Sequence, residues 1–278
     1  MAICNDCPRA CGVDRRVKRG YCGCGANAVV AKTISPFEYE EPCLGRLSAV
    51  FFGGCALRCS YCQNVKISRG AVGREYSDAE LARLFDETDR ALDLVTPSHF
   101  SSAIERALAL CEKPHRIIYN TSGYETESAV ERAAKFTDVF LTDLKYFDGA
   151  ISSRYSAASD YFEHASRAVK LMRELIPDDW ETSDGGRMLK RGLVIRHLVL
   201  PEHCADSMKI LDFIAENIGT DAVVSIMSQF TPNGMGEPSA RLKKIEYKLV
   251  REHALKLGFR NGYVQDFSSA SAAYTPKF

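Results

Sequence analysis

Six short apolar segments, at 47–52, 92–96, 116–119, 139–143, 193–200 and 222–227, alternate along this chain with longer amphipathic stretches. Segments of four to eight residues separated by helical patterns read as βα units, whose strands pair in parallel because each connection crosses over the sheet. The expected class is therefore α/β. Ser77, with Glu80 three residues on, has the form of a capping box opening a helix to about residue 90. Further helices are expected from 97 or 98 to 110, from 125 or 126, from 205 to 217, and from 239 to 257, where Gly258 stops the last. Residues 148–192 make a longer crossover, helical at 161–175 and then a polar loop at 177–192. Six units imply a sheet curved into a partial (β/α)6 barrel, short of the eight that close a TIM barrel and so open on one side. Helix periodicity does not by itself choose this over a doubly wound open sheet.

The first strand, Leu47-Ser48-Ala49-Val50-Phe51-Phe52, is closed by Gly53-Gly54 and leads into Cys55-Ala-Leu-Arg-Cys59-Ser-Tyr-Cys62. Three cysteines at this spacing place three thiolates on one tight loop, where they can wrap a compact soft metal centre. A [4Fe–4S] cube has four irons, so three thiolates leave one iron open, as catalytic zinc sites keep a position open and structural ones do not. The competing readings are a zinc knuckle and a disulfide pair; no fourth ligand lies nearby at zinc spacing.

Before the first strand, residues 1–46 form a Cys- and Gly-rich extension with little periodicity, and 47–278 form the barrel. Cys4, Cys7, Cys11, Cys22 and Cys24 put five thiols within 21 positions. That density marks a metal site holding down a segment with no core of its own. Cys4, Cys7, Cys11 and Cys22 are the expected ligands, with Cys24 the substitute. Zinc and a second iron–sulfur cluster both accept four thiolates, so the metal stays open, as does the reading of unligated reduced thiols.

Lysines plus arginines equal aspartates plus glutamates at 36 each, without the basic excess of a nucleic-acid binder. No apolar run approaches the roughly 20 residues that span a bilayer. The opening Met1-Ala2-Ile3-Cys4 has no basic-then-apolar leader, which predicts the cytoplasm, where eleven cysteines argue for metal ligation over a disulfide framework.

The cluster loop FFGGCALRCSYCQN, with Tyr61 before its last cysteine, resembles that of the radical S-adenosylmethionine (SAM) superfamily. CPRACGVDRR, GYCG, EEPCLG, LVTPSHF, YNTSGYE, LTDLKYFD, RGLVIRHLVLPEH and IMSQFTP extend the match over nearly the whole chain. They resemble the branch similar to the pyruvate formate-lyase activating enzyme. The resemblance selects the partial barrel. It implies an oxidoreductase in which SAM chelates the open iron of a cluster on Cys55, Cys59 and Cys62. An external electron donor of flavodoxin or ferredoxin type would then reduce SAM to methionine and a 5′-deoxyadenosyl radical, anaerobically. A protein or peptide substrate is implied, as for glycyl-radical activases; a small molecule is the alternative. Fold does not fix function.

Ligand groups in parallel α/β proteins sit at the carboxyl ends of strands. The resemblance places Tyr61 and Asn64 beside the cluster at the first end. At the second it usually shows Gly-Gly-Glu-Pro; here Thr96 and Ser98 stand instead to receive the SAM ammonium, with His99 a further contact or else a cap or packing residue. Asn120, Thr121 and Ser122 at the third end resemble the segment lining the nucleoside pocket, although Asn/Ser/Gly letters also make a plain turn. At the fourth, strand alternation sends Asp143 and Lys145 to one side and Leu144 to the other. The resemblance puts Lys145 on the SAM carboxylate and Asp143 near a cation; a structural ion pair is the alternative. It also gives Arg196 at the fifth end a hold on SAM, and Gln229 at the sixth closes the adenine side.

Overall fold

The structure, a computed structural model, describes residues 3–38, 40–183, 186–232 and 236–269. All six expected strands are present: β2 (Leu47–Phe52), β4 (Ala91–Val95), β5 (Ile117–Thr121), β6 (Val139–Asp143), β8 (Gly186–Leu198) and β9 (Val223–Met227). They pair in parallel in that order, and β10 (Asn261–Val264) adds a seventh parallel strand beyond β9. On the far side β2 pairs antiparallel with β1 (Ala28–Phe37), which in turn pairs with β3 (Arg74–Tyr76). The order β10-β9-β8-β6-β5-β4-β2-β1-β3 does not return on itself, so the sheet is an unclosed barrel.

Each central strand is apolar on both faces, as strands covered by helices outside and filled inside must be. Ala49, Phe51, Val95, Ile118, Leu141 and Val194 meet inside the sheet with Phe37 and Leu44. The alternate residues Val50, Phe52, Leu92 and Leu94 face outward under helices α2 (Asp78–Asp86) and α3 (Ser101–Leu108). Phe140, Leu193 and Ile195 do the same under α6 (Tyr161–Leu175) and α7 (Cys204–Asn217). The Ser77–Glu80 capping box forms as expected. The other helices are α1 (Val65–Ser68), α4 (Glu127–Ala134), α5 (Gly149–Ser156) and α8 (Lys244–Leu257).

Three expectations need correction. Residues 28–37, within the extension of little periodicity, form a strand of the main sheet. The polar loop expected at 177–192 is a ribbon: β7 (Asp179–Ser183) pairs antiparallel with the first half of β8, whose second half enters the barrel. In this ribbon the paired Trp180 and Leu189 pack against the core while most residues around them are polar, so too few apolar positions recur to show the alternation that betrays a strand. The last helix starts at Lys244, five residues later than expected, where the Glu246 carboxylate accepts the Lys243 N–H at 2.9 Å. Residues 270–278, at the end of the expected barrel unit, lie outside the described residues.

Candidate active site

A cavity opens at the carboxyl ends of the parallel strands, lined on one side by Cys55, Cys59 and Cys62 and on the other by Asn120, Asp143, Lys145 and Arg196. The cysteine loop leaves β2 through Gly53-Gly54. Gly54 has φ +80°, and a Cβ there would lie 2.5 Å from Cys24 Sγ, so the loop can turn only with glycine. Cys55 Sγ accepts the Leu57 N–H at 3.3 Å and Cys59 Sγ accepts the Ser156 hydroxyl at 3.0 Å. Behind the loop, Tyr61 and Tyr146 hydroxyls lie 2.6 Å apart, and Tyr146 and Ser156 hydroxyls 2.7 Å apart. Burial raises the Cys55 and Cys62 thiols above their ordinary values, and a negative Cys59 adds to the rise. Soft-metal ligation is the chemistry that ionises such thiols.

Among and beyond the inward apolar side chains, alternation points Asp93, Asn120, Asp143 and Arg196 into the barrel. Asp143 and Arg196 are register partners. Arg196 donates from Nε to Asp143 Oδ1 (3.0 Å), from Nη1 to Glu40 Oε2 (2.6 Å) and from Nη2 to Asn120 Oδ1 (2.6 Å). Asn120 Nδ2 donates to Glu40 Oε1 at 3.2 Å and Asp93 Oδ2 at 3.4 Å. Burial would raise Asp143, but Lys145 and Arg196 outweigh it and hold its carboxyl below the usual range. At Glu40 burial wins over Arg196 and pushes the carboxyl up to about 7. Lys145 Nζ donates to Asp143 Oδ2 at 2.5 Å, one of the three donors an ammonium has. Its backbone is fixed by Tyr161, whose hydroxyl accepts the Lys145 N–H at 3.0 Å and lies within 3.0 Å of both Ser122 O and Asp143 O.

Most residues singled out from the sequence line this cavity: Cys55, Cys59, Tyr61, Cys62, Asn64, Thr96, Asn120, Thr121, Ser122, Asp143, Lys145, Arg196 and Gln229. Thr96 has φ +62°, a strained conformation for a β-branched residue and one that concentrates at functional sites. Asn64 Oδ1 is buried without a partner. Ser98 and His99 do not line the cavity. Ser98 Oγ donates to Glu125 Oε1 and lies 3.3 Å from Thr121 Oγ1; His99 Nε2 bonds Gly53 O at 2.8 Å with its ring against Phe100. Both side chains thus bond protein atoms outside the cavity, and His99 Nδ1 is buried without a partner. Arg196 lines the cavity, but its Nε, Nη1 and Nη2 are all engaged within the protein.

The sequence reading missed Glu40 and Glu41, which the β1–β2 connection inserts at the cavity wall, and Ser156, which reaches Cys59 from a helix not foreseen. Two adjacent carboxylates in the otherwise apolar EEPCLG were the available signal. In the N-terminal segment, Cys11 and Cys22 sulfurs stand 3.4 and 3.5 Å from where a Gly20 Cβ would be. Cys4 Sγ instead lies 3.7 Å from Asp6 Oδ2, and Cys7 is buried, its thiol pushed up to about 12. Among the described residues the quartet Cys4, Cys7, Cys11 and Cys22 does not close to single-ion spacing; Cys22 does so with Cys24 and His99.

The donor set fits the groups expected here. Three half-buried thiols share a cavity with an ammonium having protons to spare and an unpartnered amide oxygen, the complement of an iron–sulfur centre with an amino-acid ligand. Among the described residues no helix is long and apolar enough to cross a membrane. A Methanocaldococcus jannaschii protein of uncharacterised function is 27% identical over 248 residues, 82% of this chain and 66% of its own length. The Methanothermobacter thermautotrophicus 7-carboxy-7-deazaguanine synthase is 25% identical over 164 residues, 52% of this chain and 64% of that one. The Clostridium pasteurianum pyruvate formate-lyase-activating enzyme is 35% identical over 115 residues, 37% and 48% respectively. This chain thus spans between about half and two thirds of each relative. The crystal structure of Streptococcus suis SuiB bound to precursor peptide SuiA matches in fold, with TM-score 0.50 and 13% identity over 78% of this chain and 48% of that one. Residues 49–191, just over half of the sequence, match the model of the Radical SAM superfamily, and the chain belongs to that superfamily.

Proposed function

We propose that Cys55, Cys59 and Cys62 hold a [4Fe–4S] cluster, that the facing polar wall holds SAM, and that the substrate is a protein or peptide. When bound, the cluster and SAM supply a 5′-deoxyadenosyl radical for hydrogen abstraction. The chain's own residues bind, orient and enclose. Lys145 offers its free N–H groups to the SAM carboxylate. Arg196, spent on Asp143, Glu40 and Asn120, keeps those three acceptors in place. Thr96 and Asn64 offer acceptors to an ammonium. Phe230, Leu57 and Phe51 exclude water from the cavity.

The observation that carries this reading is the three-thiol loop facing Lys145 and Asn120 across one cavity. The unclosed sheet and the 35% identity to an activating enzyme support a polypeptide substrate. A small-molecule substrate is the second reading, favoured by the acidic wall of Glu40 and Glu41. Anaerobically reconstituted and reduced protein is expected to convert SAM to 5′-deoxyadenosine and methionine. With a glycyl-radical enzyme from the same source it is expected to give a carbon-centred doublet in electron paramagnetic resonance. Absence of SAM cleavage overturns the first part; cleavage that responds only to a small metabolite overturns the second.

A further inference from the structure

Beside the cavity, and not lining it, the N-terminal segment packs Cys22 and Cys24 against His99 from the turn after β4. One ligand atom from each lies within 4.8 Å of the other two, and all three residues are buried, at 8%, 0% and 2% exposure. Among the described residues, such spacing recurs only at Asp86, Cys111 and His115, where a 2.8 Å bond from His115 to Asp86 already accounts for the contact. The loop cysteines 55, 59 and 62 do not meet at this spacing, as expected for ligands of separate irons.

We infer that Cys22, Cys24 and His99, joined by Cys11, form a closed tetrahedral site for one zinc ion, separate from the loop of Cys55, Cys59 and Cys62. Soft thiolates with one imidazole are a structural zinc set. Cys11 stands outside that 4.8 Å group, but its sulfur and that of Cys22 lie 3.4 and 3.5 Å from where a Gly20 Cβ would be, so Cys11 is the thiol at hand to complete the set. A second observation is independent of the thiols. Arg15 is buried to 9% side-chain exposure, donates from Nη1 to His99 O, and has no acceptor for Nε or Nη2. Asp6 Oδ2 stands 3.6 Å from Nη1 and answers that nitrogen alone, so the two remaining buried donors beside these cysteines still call for an anionic acceptor. Three thiolates around a dication carry a net negative charge and provide one.

The competing arrangement is a hydrogen-bonded pair: Cys24 Sγ and His99 Nε2 both reach Gly53 O, at 3.2 and 2.8 Å. Cys24 Sγ also reaches Cys22 O at 3.8 Å, so hydrogen bonding accounts for the place of Cys22 but not for that of Cys11 or for the unspent Arg15 donors. Because Cys24 also fills the space beside Gly54, the ion would pin the N-terminal segment to the backbone that leads into Cys55. Four protein ligands leave no open position, so the role is structural.

The test uses the full chain produced with zinc in the medium, as the unsubstituted protein and with Cys55, Cys59 and Cys62 all changed to Ala. Both are expected to hold one zinc per chain. Zinc-edge X-ray absorption is expected to show three sulfurs at about 2.3 Å and one nitrogen at about 2.0–2.1 Å. Cys24→Ser and His99→Asn should lower bound zinc at least tenfold, while Cys4→Ser and Cys7→Ser keep it. A four-sulfur shell, zinc retained in both Cys24→Ser and His99→Asn, an iron centre in the triple variant, or no zinc at all overturns the inference. The absorption spectrum of the unsubstituted chain decides alone if a variant fails to fold.

Discussion

Changing Ser156 to Ala is expected to make the proposed cluster harder to reduce. Ser156 has one hydroxyl proton, and it is directed at Cys59 Sγ, 3.0 Å away. Ser156 must then accept from Tyr146 (2.7 Å), and Tyr146, its own proton spent, must accept from Tyr61 (2.6 Å). Three buried hydroxyls thus form a chain of fixed direction ending on one sulfur. Reduction adds negative charge to the cluster and its thiolates, so a donor to sulfur favours the reduced state and raises the potential. A hydrogen bond to a charged acceptor contributes about 1.5–3 kcal/mol. At about 59 mV per tenfold for one electron, that corresponds to a ceiling of roughly 65–130 mV, since only the difference between oxidation states counts. Ser156→Ala should shift the midpoint negative by some tens of millivolts within that ceiling; Tyr146→Phe should shift it less in the same direction, and Ser156→Thr should restore it. The assay is a redox titration of reconstituted protein followed by electron paramagnetic resonance. A midpoint unchanged or more positive in Ser156→Ala would refute the reasoning.

Lys145→Ala should weaken SAM binding by about ten- to a hundredfold, the loss of one charge-assisted hydrogen bond, as read by calorimetry on reconstituted protein. Arg196→Ala should instead register in stability, by about 3–5 kcal/mol in urea unfolding, because it leaves Asp143 and Glu40 buried without their cation. Glu125, at 2% exposure, is pushed by burial from 4.5 up to about 7, against the hydrogen bonds from Ser98 and Thr121. Between those values the folded chain holds a proton that the unfolded chain has lost, so this group makes stability fall as pH rises from about 4.5 to 7, by at most about 3 kcal/mol. Glu125→Gln should remove that slope, and urea midpoints compared at pH 5 and pH 8 measure it.

The alternation of strands and helices was legible because the strands are short apolar runs and the helices are apolar on one face only, a contrast that periodicity reports directly; the choice of a partial barrel came from the resemblance. Strand β1 was hidden for a physical reason. Its inner residues Ala28, Val29 and Val30 are buried, but the following stretch runs along an open edge with exposed Thr33, Ser35 and Pro36, and its neighbours are cysteines and glycines. The same logic applies to the site. Strand alternation brought Asp143 and Lys145 to one side and buried Leu144 on the other, as the letters alone implied. Sequence supplies charges without their partners, however. Arg196 reads as a free cation at a strand end until Glu40, 156 positions earlier, is seen to fold in beside it. His99 likewise reads as a cavity residue, because it follows a strand end, until Gly53 is found to accept from its ring. A residue's type and place along a strand predict where it points. Whether it still has a donor to offer depends on what a distant segment has already used, and that separates Lys145, with protons to spare, from Arg196, whose Nε, Nη1 and Nη2 are engaged.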